Sequence, residues 1–314
     1  MSLSATASVT PAAAAFLGLA FRPLEASDEA TLAPLLRRHP HSLSGYTFGP
    51  LYAWAEAFDY RWALTASGVL LVSFVPEGGA TRHLLQPIGP LDAAAGEALV
   101  KQARGLPYRL RIHGADREFL AAHTPFASCF SVRVDRDCAN YLYRAEDLAT
   151  LAGRRYAKKR NLIAQAARLF EWTVEPVTAE NLAEVLAVER ETCREVSRPS
   201  ESLSSDCAAL VRSLEQVGRF GQEAFLVRAN GEPAGLTLFE VRPPDTLEIH
   251  FERALRRWKG LHQVVNQIDA KLAVERGLAW VNREEDVGDP GLRKAKQSYF
   301  PARLAESLEL TLAG

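Results

Sequence analysis

Apolar positions along this chain keep two rhythms, and they alternate. A period of two marks strands and a period near 3.6 marks helices. Residues 21–25 read as a strand, and Ser27, Asp28 and Glu29 cap a helix that runs to Arg38. Residues 61–65, 69–75 and 83–86 read as strands of a meander, parted by Ser67-Gly68 and the turn at 76–79. A helix over 92–104, a strand over 108–112, a short helix over 116–123 and a strand over 128–134 complete the first half. The second half repeats the order. It begins with a helix from Glu146-Asp147 to about 170, a strand over 172–177 and a helix from Asn181 to about 196. A polar loop over 198–205, a helix over 206–217 and strands over 223–229, 233–241 and 246–254 follow, with turns at Asn230-Gly231 and Pro243-Pro244-Asp245. The pattern predicts an α+β protein of two similar units, although no residue-level repeat is visible.

Charge interrupts this pattern at four places. The stretch 282–299, NREEDVGDPGLRKAKQSY, follows an apolar strand at 278–281 and opens with Arg283, Glu284, Glu285 and Asp286. Asp289 suits an N-cap and Pro290 the first helical turn, so a helix starts there. Leu292, Ala295, Lys296 and Tyr299 then share one face, on which Lys296 either snorkels past its stem or carries chemistry. Along the strand at 246–254 the period of two puts Leu247, Ile249 and Phe251 on one face and Glu248, His250 and Glu252 on the other. That charged face is either solvated or borders a wet cleft, where Glu248 and His250 are candidate general bases.

The third place is the helix from 146. Arg154, Arg155, Lys158, Lys159 and Arg160 fall within seven residues, and Arg155 and Lys159 interrupt the stripe Leu148, Ala152, Leu162, Ala166 and Leu169. A solvated face is one reading and a phosphate-facing face the other. The fourth is RRWKGLH at 256–262, a basic turn ahead of an amphipathic helix, or an anion site at a helix N-terminus. The aromatic-rich stretch at 39–60 is either a pocket wall or core.

Composition narrows the choices. Lys and Arg number 37 against 38 Asp and Glu, so no global basic field exists to hold nucleic acid, and any such contact rests on a local patch. The four cysteines form no C-x-x-C pair and join no metal-like cluster with the seven histidines, so a reduced cytoplasmic protein without bound metal is expected. Residues 1–20 lack a charged n-region before Arg22 and read as a disordered or extended lead. No apolar run approaches the ~20 residues that a membrane span needs.

The strings NRE, D-x-G and GLRKAK-x-SY, with GYTFGPLYAW at 45–54 and YRAEDLATLAGRRYAKKRN at 143–161, resemble a bacterial family related to the C-terminal catalytic domain of phosphatidylglycerol lysyltransferases. The resemblance runs from about Phe21 onward. It implies two tandem GNAT-like units, each a mixed, mostly antiparallel sheet flanked by helices, here at 21–140 and 141–314, with the active site in the second. It implies an acyltransferase without a tightly bound cofactor, whose donor is aminoacyl-tRNA or acetyl-CoA and whose acceptor is a small molecule or lipid headgroup. Glu248 or His250 would be the base, Tyr299 the acid, and Asn282 an orienting group. Arg155, Lys159, Arg257, Gly260, Arg293 and Lys296 would hold phosphate or developing charge. The GNAT donor-loop pattern places a small residue two positions after the glycine. His262 stands there, which weakens the CoA reading. A ligand-binding protein on the same fold is the remaining alternative.

Overall fold

A computed structural model describes residues 15–195 and 201–314, the side chains of 201–203 excepted. The strands are β1 (Arg22–Pro23), β2 (Arg61–Leu64), β3 (Leu70–Phe74), β4 (His83–Leu85), β5 (Arg111–Ala115), β6 (Phe130–Arg144), β7 (Trp172–Pro176), β8 (Gln222–Ala229), β9 (Glu232–Arg242), β10 (Thr246–Ala254), β11 (Trp280–Asn282) and β12 (Arg303–Leu312). The helices are α1 (Glu29–Arg38), α2 (Phe48–Ala53), α3 (Ala93–Arg104), α4 (Arg117–Ala122), α5 (Thr124–Ala127), α6 (Ala145–Thr150), α7 (Ala157–Leu169), α8 (Leu182–Arg194), α9 (Glu201–Leu214), α10 (Leu261–Glu275) and α11 (Pro290–Gln297).

The strands form one twelve-stranded sheet in the order β1-β2-β3-β4-β5-β12-β6-β11-β10-β9-β8-β7. Among the described residues only β4 with β5 and β10 with β11 pair in parallel. The C-terminal strand β12 inserts between β5 and β6, so the last residues of the chain close the first half. The long β6 pairs along β12 and, at 142–144, with β11. It therefore belongs to both halves, and the position 140/141 lies inside it.

Both faces of the sheet are covered, as the alternation along β3 illustrates. Leu71 points into the cluster with Leu84, Ile112 and Leu310, whereas Leu70 and Val72 pack with Leu32, Leu36 and Leu51 from α1 and α2. In the second half α6 and α10 cover one face with Leu148, Ala270 and Ala273, and α8 and α9 cover the other with Val185, Val188 and Leu210.

Local signals hold where they were strongest. Asp92 caps α3 by accepting from the Ala95 N–H at 2.8 Å. Asp289 caps α11 through the Leu292 N–H at 2.6 Å, with Pro290 in its first turn. Asn230 and Gly231 take φ of 49° and 82° and join β8 to β9, the left-handed geometry of a two-residue hairpin.

Four expectations need correction. The single helix from 146 to 170 is broken: Leu151 caps α6 with φ 51°, Gly153 follows at φ 85°, and α7 starts anew at Ala157. The break dissolves the predicted stripe: Leu148 is buried while Leu169 is 63% exposed. The helix expected from 206 starts at Glu201 and ends at Leu214, replacing part of the expected polar loop, whose residues 198–200 lie outside the described ones. On α11 the shared face splits: Leu292 is 39% exposed and Ala295 exposed, while Lys296 and Tyr299 are buried. The helix ends at Gln297, which turns Tyr299 inward.

The cysteines are the fourth correction. Cys193 of α8 and Cys207 of α9 form a disulfide, and Cys129 and Cys138 are free thiols. The spacing of 14 residues hid a pair that only helix packing brings together. Glu189, Cys193 and Cys207 offer ligand atoms within 4.8 Å of one another, a grouping of metal-binding types whose two sulfurs are bonded to each other.

Candidate active site where two parallel strands part

β10 and β11 run in parallel register from Thr246 opposite Trp280 to Glu248 opposite Asn282. Beyond that point they part. β10 continues to Ala254, while the segment after β11 turns away through Glu284 at φ 54°. A bulge sits at the parting: Ile249 pairs with Phe239 and Phe251 with Leu238, so His250 is the extra residue.

This bulge overturns the expected single charged face. Leu247 and Ile249 pack with Phe239 toward α10, but Phe251 packs with Leu238 toward α8 and α9. Glu248 and Glu252 are thereby sent to opposite sides of the sheet. One extra residue shifts the period of two by one, which no count along the strand reveals.

On the α10 side Glu252 accepts from Arg283 Nε at 3.0 Å and from Asn266 Nδ2 at 3.2 Å. Arg283 is 8% exposed, and among the described residues its Nη1 has no partner. The guanidinium lies 5.0 Å from the Tyr299 ring centroid, and Lys159 Nζ lies 3.8 Å from the same ring while donating to Ser298 Oγ at 2.7 Å. Among the described residues the buried Tyr299 hydroxyl makes no hydrogen bond of normal geometry, although the Gln263 side chain is near enough to act on it. Burial lifts its phenol to about 12, so it is neutral and holds its proton. Burial, helped by Arg283, lowers the Lys159 ammonium to about 8. Lys296 falls to about 8 for the same first reason, but its Nζ donates to the carbonyls of Arg283 and Glu285 and pins the turn between them.

On the other side Glu248 is fully buried. It accepts from Arg242 Nε at 2.6 Å and from Asn282 Nδ2 at 3.0 Å, its Oε2 is unpartnered, and burial raises its pKa. Asn282 also reaches Asn140 Oδ1 at 3.0 Å and accepts the Glu284 N–H at 2.9 Å, so it fixes the turn that ends β11. His250 lies between two carboxylates, with Nδ1 at 2.8 Å from Glu284 and Nε2 at 3.5 Å from Glu240. Burial disfavours its charge, but these acids prevail and hold it well above its ordinary pKa of 6.5. A protonated ring has no lone pair to accept a proton. Glu240 in turn accepts the Thr47 hydroxyl from the first half.

The structure thus gathers Glu248, His250 and Asn282 on one side of the parting and Lys159 and Tyr299 on the other, with Lys296 beneath. It leaves three predicted cations elsewhere. Arg155 pairs with Asp147 at 3.1 Å and lies over Tyr156 and Phe300. Arg257 pairs with Glu191, and Arg293 is held by Asp286 at 2.7 Å and Asp137 at 2.6 Å. Gly260 caps α10 at φ 89°, where an added Cβ would lie 2.5 Å from the Leu162 carbonyl of α7. Its smallness serves helix packing. The amide of Arg256 donates to the Glu195 carboxylate at 3.1 and 3.2 Å. Arg283, Glu252, Glu240 and Thr47 were missed as site residues. The lone carboxylate inside the apolar run of β9 was the available signal for Glu240.

Residues 36–308 match the family described as phosphatidylglycerol lysyltransferase, C-terminal. The chain belongs to this family. Comparison with curated proteins returns no match. Among solved structures, a conserved protein of unknown function from Bacteroides thetaiotaomicron is 24% identical with a TM-score of 0.81, over 94% of this chain and 100% of that one. L-PGS from Bacillus licheniformis is 16% identical at TM-score 0.62, over 90% of this chain and 91% of that one. FemX is 11% identical at TM-score 0.58, over 91% and 96%. This member of the phosphatidylglycerol lysyltransferase C-terminal family therefore has the α+β tandem GNAT-like acyltransferase fold. Among the described residues no helix is long and apolar enough to cross a membrane.

Proposed function

We propose that this chain transfers an aminoacyl group from aminoacyl-tRNA to an amine or hydroxyl acceptor. The observation that carries the choice of donor is the state of the turn before α10. A CoA pyrophosphate would need the free amides and cations of that turn. Here Glu195 occupies the Arg256 amide, Glu191 occupies Arg257, and the Leu162 carbonyl closes on Gly260. Two carboxylates at an anion site repel a third anion. The exposed Arg154 and Lys158 beside half-buried Lys159 offer a local basic surface instead, one whose affinity for tRNA would fall with salt.

In this reading the donor ester enters the parting of β10 and β11 from the α10 side. The unpartnered Arg283 Nη1 donates to the carbonyl oxygen as negative charge develops there. The acceptor's nitrogen or hydroxyl oxygen bonds to the carbonyl carbon as the ester C–O bond breaks; the neutral Tyr299 phenol gives its proton to the ribose oxygen of the leaving tRNA, and the phenolate, stabilised by the adjacent Lys159, takes up the proton that the acceptor releases. His250, held as a cation by Glu240 and Glu284, positions those acids and is not the base.

The test compares donors on the purified protein. Transfer of radiolabel from an aminoacyl-tRNA pool to an amine acceptor, with no rise in unfolding midpoint on adding acetyl-CoA, is the expected result. Acetyl transfer from labelled acetyl-CoA would overturn the donor assignment, and binding without any transfer would mark a ligand-binding protein.

A further inference from the structure

The disulfide between Cys193, in the last turn of α8, and Cys207 of α9 has a third member beside it. Glu189 lies one turn before Cys193 on the same helix face, is 1% exposed, and places its Oε1 at 3.1 Å from Cys193 Sγ. Its other oxygen is committed, since Oε2 accepts from Arg253 Nε at 2.9 Å and from the Thr192 hydroxyl at 3.2 Å. Arg253 also pairs with Asp206, the residue before Cys207. A disulfide sulfur carries no proton to give, so among the described residues Glu189 Oε1 is buried without a donor and aimed at the two sulfurs.

The two sulfurs and a carboxylate oxygen lie within 4.8 Å of one another, and this donor set is one that zinc accepts. Thiolates select zinc-like ions and disfavour magnesium and calcium. The two Cα atoms are 6.6 Å apart, near the far end of the span that a disulfide bridges, so the sulfurs can part around an ion with little movement of either helix. Charge also balances. Two thiolates with a divalent cation carry the same net charge as the disulfide that they replace, so the buried set of Glu189, Arg253 and Asp206 keeps its own compensation.

We propose that opening the disulfide converts this cluster into a site for a zinc-class divalent cation, ligated by Cys193 Sγ, Cys207 Sγ and Glu189 Oε1, with water in the fourth position. Both cysteines are half-buried, within reach of a reductant. A phosphine gives two electrons to the S–S bond and becomes the phosphine oxide with an oxygen from water, whose two protons go to the sulfurs. The cation then displaces both protons as two metal–sulfur bonds and one metal–oxygen bond form. It thereby renews the crosslink between α8 and α9. That crosslink holds the end of α8, from which Glu191 and Glu195 reach Arg257 and the Arg256 amide ahead of α10. The site takes no part in the transfer chemistry above and stands whether or not that reading does.

Metal titration tests it. The protein is stripped with a chelator, and its disulfide form and its form reduced with tris(2-carboxyethyl)phosphine are titrated with cobalt(II), zinc and magnesium. A background of Cys129→Ser and Cys138→Ser removes the other thiols. The reduced form should bind a single equivalent of cobalt, with thiolate-to-cobalt absorption in the near ultraviolet that zinc bleaches and magnesium does not. Zinc should also restore the unfolding midpoint lost on reduction. Cys207→Ser should abolish the absorption, and Glu189→Gln should weaken zinc binding about tenfold or more. No absorption in the reduced protein, a reduced midpoint that zinc leaves unmoved, zinc affinity unchanged in either variant, or equal binding by the disulfide form would each overturn the proposal. Cys207→Ser leaves the pair of Glu189 and Arg253 in place, so it carries the test if Glu189→Gln does not fold.

Discussion

Replacing Tyr299 by Phe separates a structural phenol from a chemical one. The ring is 3% exposed and packs with Tyr143, Leu148 and Val281, and Lys159 and Arg283 lie against it at 3.8 and 5.0 Å. All of these contacts survive in Phe, including the attraction of both cations to the ring. Only the hydroxyl is removed, and among the described residues it makes no hydrogen bond of normal geometry. A buried hydroxyl without a partner costs about 1–3 kcal/mol, so the variant should be as stable as the wild type or more stable by up to that amount. Activity should move the other way. Loss of a general acid lowers the rate by roughly 10² to 10⁴, or about 3–5 kcal/mol of barrier. Urea unfolding gives the first quantity, and single-turnover transfer from labelled aminoacyl-tRNA gives the second. A variant that loses more than about 1 kcal/mol of stability, or that keeps more than half of the transfer rate, would show that the phenol is not held for catalysis.

Three further outcomes follow from the same geometry. Arg283→Met removes the guanidinium paired with buried Glu252, and removing one partner of a buried pair should cost about 3–5 kcal/mol in urea unfolding, together with the transfer rate. His250 has a folded pKa raised above its unfolded value of 6.5, so the stability it contributes is complete below pH 6.5 and is lost as pH rises through the folded pKa. His250→Gln should accordingly narrow its stability gap to the wild type as pH is raised from 6 to 9, and a gap that widens would refute the ion network. Reduction of Cys193–Cys207, whose separation of 14 residues closes a loop worth about 3 kcal/mol, should lower the unfolding midpoint of the wild type but not that of the Cys193→Ser, Cys207→Ser double variant.

What could be read from the chain was whatever a few neighbouring residues decide. Asp289 and Pro290 start α11, Asn230 and Gly231 turn β8 into β9, and Asp92 caps α3, because each of these geometries is completed within four residues. The resemblance carried by NRE and GLRKAK-x-SY singled out the stretch that holds Asn282 and Tyr299, and both lie at the parting of the strands. Candidates chosen for their charge end in different surroundings. Lys159 reaches the Tyr299 ring, whereas Arg155, Arg257 and Arg293 each satisfy an acid elsewhere. Charge in a sequence marks a need for a partner without naming it.

The arrangement of the site was decided by tertiary structure. Glu240 meets Thr47 across 193 positions, and Asn140 meets Asn282 across 142, contacts for which no local rule exists. The bulge at His250 sends Glu248 and Glu252 to opposite sides because β10 must match β9 while leaving β11, a constraint set by two neighbouring strands together. The chain's own residues therefore determined its elements, caps and turns, where the interactions are short-range. Which of its charges are spent on one another and which remain open for a ligand was settled only when the two halves packed, since burial and pairing are properties of that packing.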